Sequence, residues 1–211
     1  MDLIKIQKKK EDDFVYCLSH LYKYSDYITI NISSPNTEGL RNFHEKNLMD
    51  QLLEKLSQLK KKKNINKPIV IKLSPDINEK EISMIIELIF KYKIDGIIIS
   101  NTSDTNREKL VDNKKSEEGG LSGLPIKDLS TQMIKKFYKE VKKKIPIIGV
   151  GGVDSGPSAF EKIIAGATAV QLYTGMVYKG PGIVKEIKKD LISTLKKEKI
   201  KKIGDAVGIN A

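Results

Sequence analysis

The stretch Ile28-Thr29-Ile30-Asn31-Ile32-Ser33-Ser34-Pro35-Asn36-Thr37 decides the fold class, because an apolar run ends abruptly on small polar side chains. A β-branched run of this kind is typical of a buried parallel strand, and Pro35 prevents it from continuing as a central strand. Asparagine, serine and threonine side chains are therefore expected at the carboxyl end of a strand. In α/β proteins this is the end where ligands bind and catalytic residues lie.

Four similar apolar runs follow, and amphipathic segments of helical length separate them. The predicted strands are Tyr27 to Ile32, Pro68 to Leu73, Gly96 to Ser100, Pro146 to Val150 and Ala169 to Tyr173. Alternation of this kind predicts a parallel sheet covered by helices. The polar piece from Ser103 to Pro125 has no strong periodicity, and a loop of that length predicts an active-site loop.

Two architectures fit this alternation, the open doubly wound sheet and the closed (β/α)8 barrel. Each predicted strand ends in polar residues or glycine, whereas an open sheet concentrates its ligand contacts near one switch point. The pattern therefore favours a (β/α)8 TIM barrel. A complete barrel takes about 250 residues and eight strands, whereas this chain has 211 residues. We expect one domain over residues 1–211 that forms part of a barrel and is poorly stable alone, because its sheet has open edges.

The net charge of +11 raises the question of nucleic acid or an anionic membrane as a partner. Almost all of the basic residues are lysines spread along the chain, and only Arg41 and Arg107 are arginines. Because recognition of phosphates and base edges relies heavily on arginine, no nucleic acid partner is expected. The chain lacks an apolar stretch of about 20 residues and a signal peptide, so it is expected to be soluble as given.

Glycine-rich turns follow the last two predicted strands, at Gly149-Val150-Gly151-Gly152 and at Gln171-Leu172-Tyr173-Thr174-Gly175. Glycine lets backbone amides approach a ligand closely, and the last two loops of a barrel commonly form a phosphate site. Glycine also serves tight packing in strand-to-helix turns. The occurrence of two such turns on consecutive strands favours a phosphate-bearing ligand.

The middle strands carry complementary polar groups. Lys72 is a charge inside an otherwise apolar strand, and it would need an anionic or polar partner if it points inward; at a strand end it could also point out into solvent. Asn101-Thr102 offers amide and hydroxyl groups suited to a flat, imide-bearing ligand. Neither His20 nor His44 lies in a metal-ligand spacing, so no metal site is predicted.

The sequence Asn31-Ile32-Ser33-Ser34-Pro35-Asn36-Thr37 with Gly39-Leu40-Arg41 resembles the signature of the class 2, quinone-using dihydroorotate dehydrogenases, which are flavoenzymes of pyrimidine synthesis. The resemblance runs from about Tyr27 to the end of the chain and implies the last five β/α units of that family's barrel. Residues that match the family's contacts to flavin mononucleotide (FMN) are Asn31, Lys72, Ser100, Gly123, Gly152, Tyr173 and Thr174. Residues that match its contacts to dihydroorotate are Asn31, Asn36, Asn101 and Thr102.

The resemblance also implies a mechanism. Ser34 occupies the position of the general base, which is usually a cysteine in the related soluble class, and Thr37 matches the residue that hydrogen-bonds this serine. The implied reaction oxidises dihydroorotate to orotate, with FMN as hydride acceptor and a quinone as final acceptor. Membrane association would depend on a region outside this chain, at the mitochondrial inner membrane in a eukaryote or the cytoplasmic membrane in a bacterium.

Two alternatives stay open from the sequence. The chain could be a non-catalytic remnant of a barrel, or it could belong to another barrel oxidoreductase that binds FMN or phosphate.

Overall fold

The computed structural model describes residues 10–105 and 107–211, and strands alternate with helices throughout. The strands are β1 (Ile28–Asn31), β2 (Ile69–Leu73), β3 (Gly96–Ile99), β4 (Ile147–Gly149) and β5 (Ala169–Val170). The helices are α1 (Lys10–Leu21), α2 (Lys46–Lys62), α3 (Glu79–Lys91), α4 (Lys127–Val141), α5 (Gly156–Ile164), α6 (Thr174–Lys179) and α7 (Ile183–Lys197). Short 3-10 turns cover Tyr22–Tyr24, Arg41–His44, Leu124–Ile126, Lys142–Lys144 and Ile203–Ala206.

All strand pairs are parallel, and the strands lie side by side in chain order, β1-β2-β3-β4-β5. A doubly wound sheet reverses its strand order at a switch point, and this sheet has no reversal. Consecutive order is the arrangement of a barrel wall. The predicted (β/α)8 class is therefore confirmed, with five of the barrel's strands present in the described residues.

The strand register separates the two faces of the sheet. Asn31 pairs with Lys72, and Lys72 pairs with Ile98, so these three side chains point to the same face. The opposite face is packed against the helices. Its buried residues are Ile30, Ile71, Leu73, Ile97, Ile99 and Ile147. The face that carries Lys72 corresponds to the inside of a barrel.

The helices form because apolar residues recur at helical spacing and meet this packed face. In α3 the buried residues include Ile82, Ile85 and Ile89, which lie on one side of the helix. Asn78 begins α3 with a capping box, in which its Oδ1 accepts from the Glu81 N–H at 3.1 Å and Glu81 Oε2 accepts from the Asn78 N–H at 2.7 Å. These helices fix the positions of the loops that follow each strand.

The last strand of the sheet is shorter than the sequence predicts. β5 contains only Ala169 and Val170, whereas the sequence predicts a strand that extends to Tyr173. β5 pairs with β4 on one side and lacks a second partner among the described residues, and β1 is likewise paired only with β2. Gln171 Nε2 lies 3.3 Å from the Tyr27 hydroxyl, so the two edges of the curved sheet approach each other.

Within the two described ranges, none of the helices has the length and apolar character required to cross a bilayer.

His44 is buried in the turn between β1 and α2, with 5% of its surface exposed. Its Nδ1 lies 2.9 Å from the Arg41 carbonyl oxygen, which can only accept, so Nδ1 carries the proton. Its Nε2 is the only buried side-chain nitrogen or oxygen without a hydrogen-bond partner in the described residues. Burial, the largest influence, lowers the pKa of His44.

We expect this histidine to make the protein less stable in mild acid. Below about pH 6.5 the unfolded chain binds a proton at His44 that the folded chain does not, so stability is present above that pH and is lost as the pH falls. The loss from this one group can be at most about 1.4 kcal/mol for each pH unit below that value. Urea unfolding of His44→Asn above and below that pH should show a smaller loss. The exposed His20→Asn serves as a control, and an unchanged pH slope in His44→Asn would contradict the assignment.

Candidate active site

Amide and hydroxyl groups from two strand ends meet at the carboxyl edge of the sheet. Asn101 Nδ2, after β3, donates to Asn31 Oδ1 at 3.1 Å and to Ser33 Oγ at 3.0 Å. Ser33 Oγ donates in turn to Asn31 Oδ1 at 3.1 Å. The Thr102 N–H donates to Asn101 Oδ1 at 2.8 Å, which fixes that amide's orientation. The structure thus brings three of the residues predicted to hold a heterocyclic ligand, Asn31, Asn101 and Thr102, into one cluster.

Ser34 lies one residue beyond this cluster and is partly buried. Its Oγ accepts a hydrogen bond from the Asn36 N–H at 3.3 Å. Asn36 and Thr37 are exposed, and Thr37 uses its carbonyl oxygen to accept from the Leu40 N–H at 3.1 Å. The hydrogen bond predicted between Thr37 and Ser34 stays a prediction.

A cavity of about 850 Å³ opens beside the cluster, and it is lined by Lys72 of β2 and by residues that follow β3, β4 and β5. The predicted residues in this lining are Lys72, Ser100, Asn101, Thr102, Gly123, Gly152, Tyr173 and Thr174. The part of the lining formed after β4 and β5 contains the two glycine-rich turns. A volume of this size suits a ligand as large as a mononucleotide.

Gly152 is a position where only glycine fits. Its φ is +72°, and a Cβ placed there would lie 2.4 Å from Lys127 Cβ and 2.7 Å from Lys127 Cα. Ser130, one turn further along α4, donates a hydrogen bond from Oγ to the Val150 carbonyl oxygen. The turn after β4 therefore packs against the first turn of α4, and the backbone of the turn after β4 lies close to the cavity.

The turn after β5 is tied to the long loop between β3 and α4. Thr174 Oγ1 donates to Ser122 Oγ at 3.0 Å, which joins two parts of the cavity wall. The side chain of Tyr173 is exposed, with 80% of its surface accessible. Asp154 also lines this region, and Lys179 Nζ pairs with it at 3.1 Å, which reduces its repulsion of an anion.

Lys72 is a half-buried cation in the wall of the cavity, and it points to the barrel side of the sheet as the strand register requires. Burial lowers the pKa of Lys72. No carboxylate in the described residues forms an ion pair with it, so its charge is not compensated from within the described protein. An anionic ligand in the cavity would favour its charged form.

The long polar loop lines the cavity, as the sequence predicts for an active-site loop. Arg107 organises it by donating to the carbonyl oxygens of Lys115 at 3.0 Å and Glu117 at 2.8 Å, and also to that of Gly119. Gly120 is packed so tightly that a Cβ would lie 1.9 Å from Thr102 Oγ1 and 3.0 Å from Pro35 Cγ. Gly120 lies directly between Thr102 and Pro35, so the segment that contains Ser34 packs against the wall of the cavity.

The sequence did not indicate two groups that support the site, of which Arg41 is partly buried and Lys162 is fully buried. Arg41 binds Asp76 and Asp104 and thereby joins three loops. Lys162 of α5 is fully buried and donates from Nζ to the Lys127 carbonyl oxygen at 2.7 Å and to Thr131 Oγ1 at 2.6 Å. Burial, the largest influence, lowers the pKa of Lys162 to about 7.

The signal for Lys162 was its helical spacing, which places it on the same side of α5 as the buried Ala159 and Ile163. The nitrogen of Lys162 binds the start of α4. The turn after β4 packs against this part of α4, so Lys162 helps to hold that turn in place.

The fold and the site together define the class of the protein. Its strands run consecutively in a parallel sheet. Groups from β2 to β5 line one cavity, and Asn31 at the end of β1 is hydrogen-bonded to Asn101 of that lining. This is the arrangement of a (β/α)8-barrel enzyme, with its ligand cavity at the mouth of the barrel.

Comparison with known proteins identifies the family. The sequence profile of dihydroorotate dehydrogenase matches residues 3–195. The chain belongs to the dihydroorotate dehydrogenase family. The resemblance inferred from the motif after β1 is thus confirmed.

Similar proteins include two named dihydroorotate dehydrogenase (quinone). The one from Idiomarina loihiensis is 44% identical over 180 residues, which cover 83% of this chain and 54% of the relative. The one from Trichodesmium erythraeum is 42% identical over 205 residues, which cover 93% of this chain and 53% of the relative. The chain therefore spans about half the length of these curated relatives.

Solved structures give the same result. The ligand-free DHODH of Eimeria tenella superposes with a TM-score of 0.90 at 30% identity, over 96% of this chain and 61% of that one. The DHODH of Eimeria tenella in complex with ferulenol also gives a TM-score of 0.90 at 30% identity.

Proposed function

We propose that this chain carries the FMN-binding and dihydroorotate-binding part of a quinone-dependent dihydroorotate dehydrogenase, which acts in the synthesis of pyrimidine nucleotides. The observation that carries the proposal is one cavity that is lined by Lys72, the two glycine turns and Asn101, and Asn101 links it to Asn31 by a hydrogen bond. The names of the curated relatives support quinone as the final acceptor. Contact with a membrane is assigned to sequence outside this chain.

The residues present fit FMN. Gly152 leaves room where a Cβ would collide with Lys127, and Lys72 offers a cation without an ion-pair partner among the described residues. We assign the phosphate to the turns at Gly152 and at Tyr173-Thr174. The flat ring system is assigned to Lys72, Ser100 and Gly123, with Asn31 between cofactor and substrate. The chemistry that FMN supplies when bound is acceptance of the hydride from C6 of dihydroorotate.

The protein's own contribution is to hold dihydroorotate and to remove its C5 proton. Asn31, Asn36, Asn101 and Thr102 are proposed to bind the substrate through amide and hydroxyl groups. Ser34 is the proposed base, and the Asn36 N–H that reaches its Oγ would stabilise negative charge as it develops there. Because a serine hydroxyl is a weak base at neutral pH, Thr37 is the proposed route for passing the proton onward.

The experiment that tests this function follows flavin binding and reduction separately. The purified chain is titrated with FMN by fluorescence quenching, and with riboflavin as the matched ligand without a phosphate. FMN should bind at least about tenfold more tightly, because only FMN can use the phosphate turns. Anaerobic addition of dihydroorotate should then bleach the visible absorption of the flavin. Equal affinities for FMN and riboflavin would contradict the phosphate assignment.

A second function is favoured by the outer edges of β1 and β5, which have no partner strand within residues 10–105 and 107–211. In this alternative the chain binds FMN without oxidising dihydroorotate. FMN binding without bleaching would support it and would rule out catalysis by this chain alone.

A further inference from the structure

Arg41 connects three loops through one guanidinium group. Its Nε donates to the Ser33 carbonyl oxygen at 3.3 Å, and its Nη2 donates to the Thr102 carbonyl oxygen at 3.0 Å. Its Nη1 lies 3.1 Å from Asp76 Oδ2 and 2.7 Å from Asp104 Oδ1. The three loops follow β1, β2 and β3.

The residues that Arg41 holds are the immediate neighbours of the proposed chemistry. The Ser33 carbonyl belongs to the residue directly before Ser34, and the Thr102 carbonyl belongs to the residue directly after Asn101. Arg41 therefore holds the peptide group between Ser33 and Ser34, and it holds the carbonyl group of the residue that follows Asn101. It does not line the cavity, and the glycine turns after β4 and β5 are not among its contacts.

Asp76 makes this arrangement rigid. Its Oδ1 accepts from Ser103 Oγ at 2.6 Å, and its Oδ2 accepts from the Asp104 N–H at 3.2 Å as well as from Arg41. The carboxylates of Asp76 and Asp104 both bind the arginine. Burial opposes ionisation of Asp104, but the hydrogen bond from Arg41 holds its pKa below the ordinary value.

We propose that Arg41 is a positioning residue that sets the location of Ser34 relative to Asn31 and Asn101. Arg41 thereby controls the rate of proton removal, and it does not contribute to binding of the flavin phosphate. This inference rests on the proposed function. Arginine is required because four acceptors on three loops need a planar group with several fixed donors. Lysine keeps the charge but cannot reach Ser33, Thr102 and both carboxylates together.

The test compares Arg41→Lys with the milder Asp104→Asn. Lys91→Met is the matched control, because it breaks the surface ion pair with Asp50 and leaves the site intact. Three quantities are measured for each protein: FMN affinity, the rate of flavin reduction at saturating dihydroorotate, and amide hydrogen exchange of residues 33–41 and 101–105.

Arg41→Lys should reduce the flavin at least about tenfold more slowly, because small misplacement of a catalytic group is costly. Its FMN affinity should stay within about twofold of the original, and both segments should exchange faster. Asp104→Asn should change in the same direction by less, and Lys91→Met should not change. An unchanged reduction rate in Arg41→Lys, or an equal loss of FMN affinity, would overturn the proposal.

The exchange measurement separates this proposal from the proposed function. If the original chain binds no flavin, the proposed function fails, and the exchange of the two segments still decides whether Arg41 holds them. Unchanged exchange in Arg41→Lys would then overturn the role of Arg41.

Discussion

Replacement of Ser34 with alanine should slow the reduction of bound FMN by dihydroorotate by a factor of about 10² to 10⁴, the usual contribution of a positioned base. The alanine side chain cannot accept the C5 proton, whereas the groups proposed to hold the substrate are unchanged. Ser34 does not line the cavity, so FMN affinity should stay the same. The rate is measured as anaerobic bleaching of the flavin after rapid mixing with saturating dihydroorotate.

Two further variants separate a base from a structural serine. Ser34→Cys should keep a substantial part of the rate, because a thiol can also accept the proton, and its pH profile should move to lower pH with the lower pKa of a thiol. Ser83→Ala, on the exposed side of α3, is the matched control. Reduction of Ser34→Ala at the original rate would show that another group takes the proton.

Replacement of Gly152 with alanine should weaken FMN binding by about tenfold to 100-fold. An L-residue at φ +72° costs about 1–2 kcal/mol, and the new Cβ would collide with the Lys127 backbone, so the turn must move away from the phosphate. Riboflavin, which has no phosphate, should lose much less affinity. Fluorescence titration with both flavins measures this selective loss.

Gly182→Ala is the control for Gly152→Ala, because its φ is −60° and no atom lies within 4 Å of a Cβ built there. Thermal unfolding without flavin checks that both variants fold. If Gly152→Ala kept its preference for FMN over riboflavin, the phosphate would have to bind elsewhere.

Much of the fold could be predicted because its determinants are local. The β-branched runs and the helical spacing of residues such as Ile82 and Ile85 set the order of elements, and the consecutive strand order followed from the polar ends of the strands. The end of the last strand could not be predicted in the same way. Gln171 to Tyr173 have strand-like composition, but β5 ends at Val170, where pairing with β4 ends.

The candidate site also contains residues that could be predicted from the sequence and residues that could not. Residues whose polarity interrupts an apolar pattern, such as Lys72 and Asn101, could be identified from the sequence, and both line the cavity. Arg41 could not, because its role depends on loops that are 35 and 61 residues away in sequence. The feature of the sequence that could have drawn attention to Arg41 is the scarcity of arginine. It is one of two arginines in a chain rich in lysine, and both arginines bind several loop groups at once.

The order of the strands has an evolutionary consequence. The groups assigned to dihydroorotate follow β1 and β3, whereas the turns assigned to the phosphate follow β4 and β5, and the long loop separates the two sets. Recombination within that loop would exchange one set and leave the other intact. A descendant could thus acquire a new oxidisable substrate while it inherits an unaltered phosphate site.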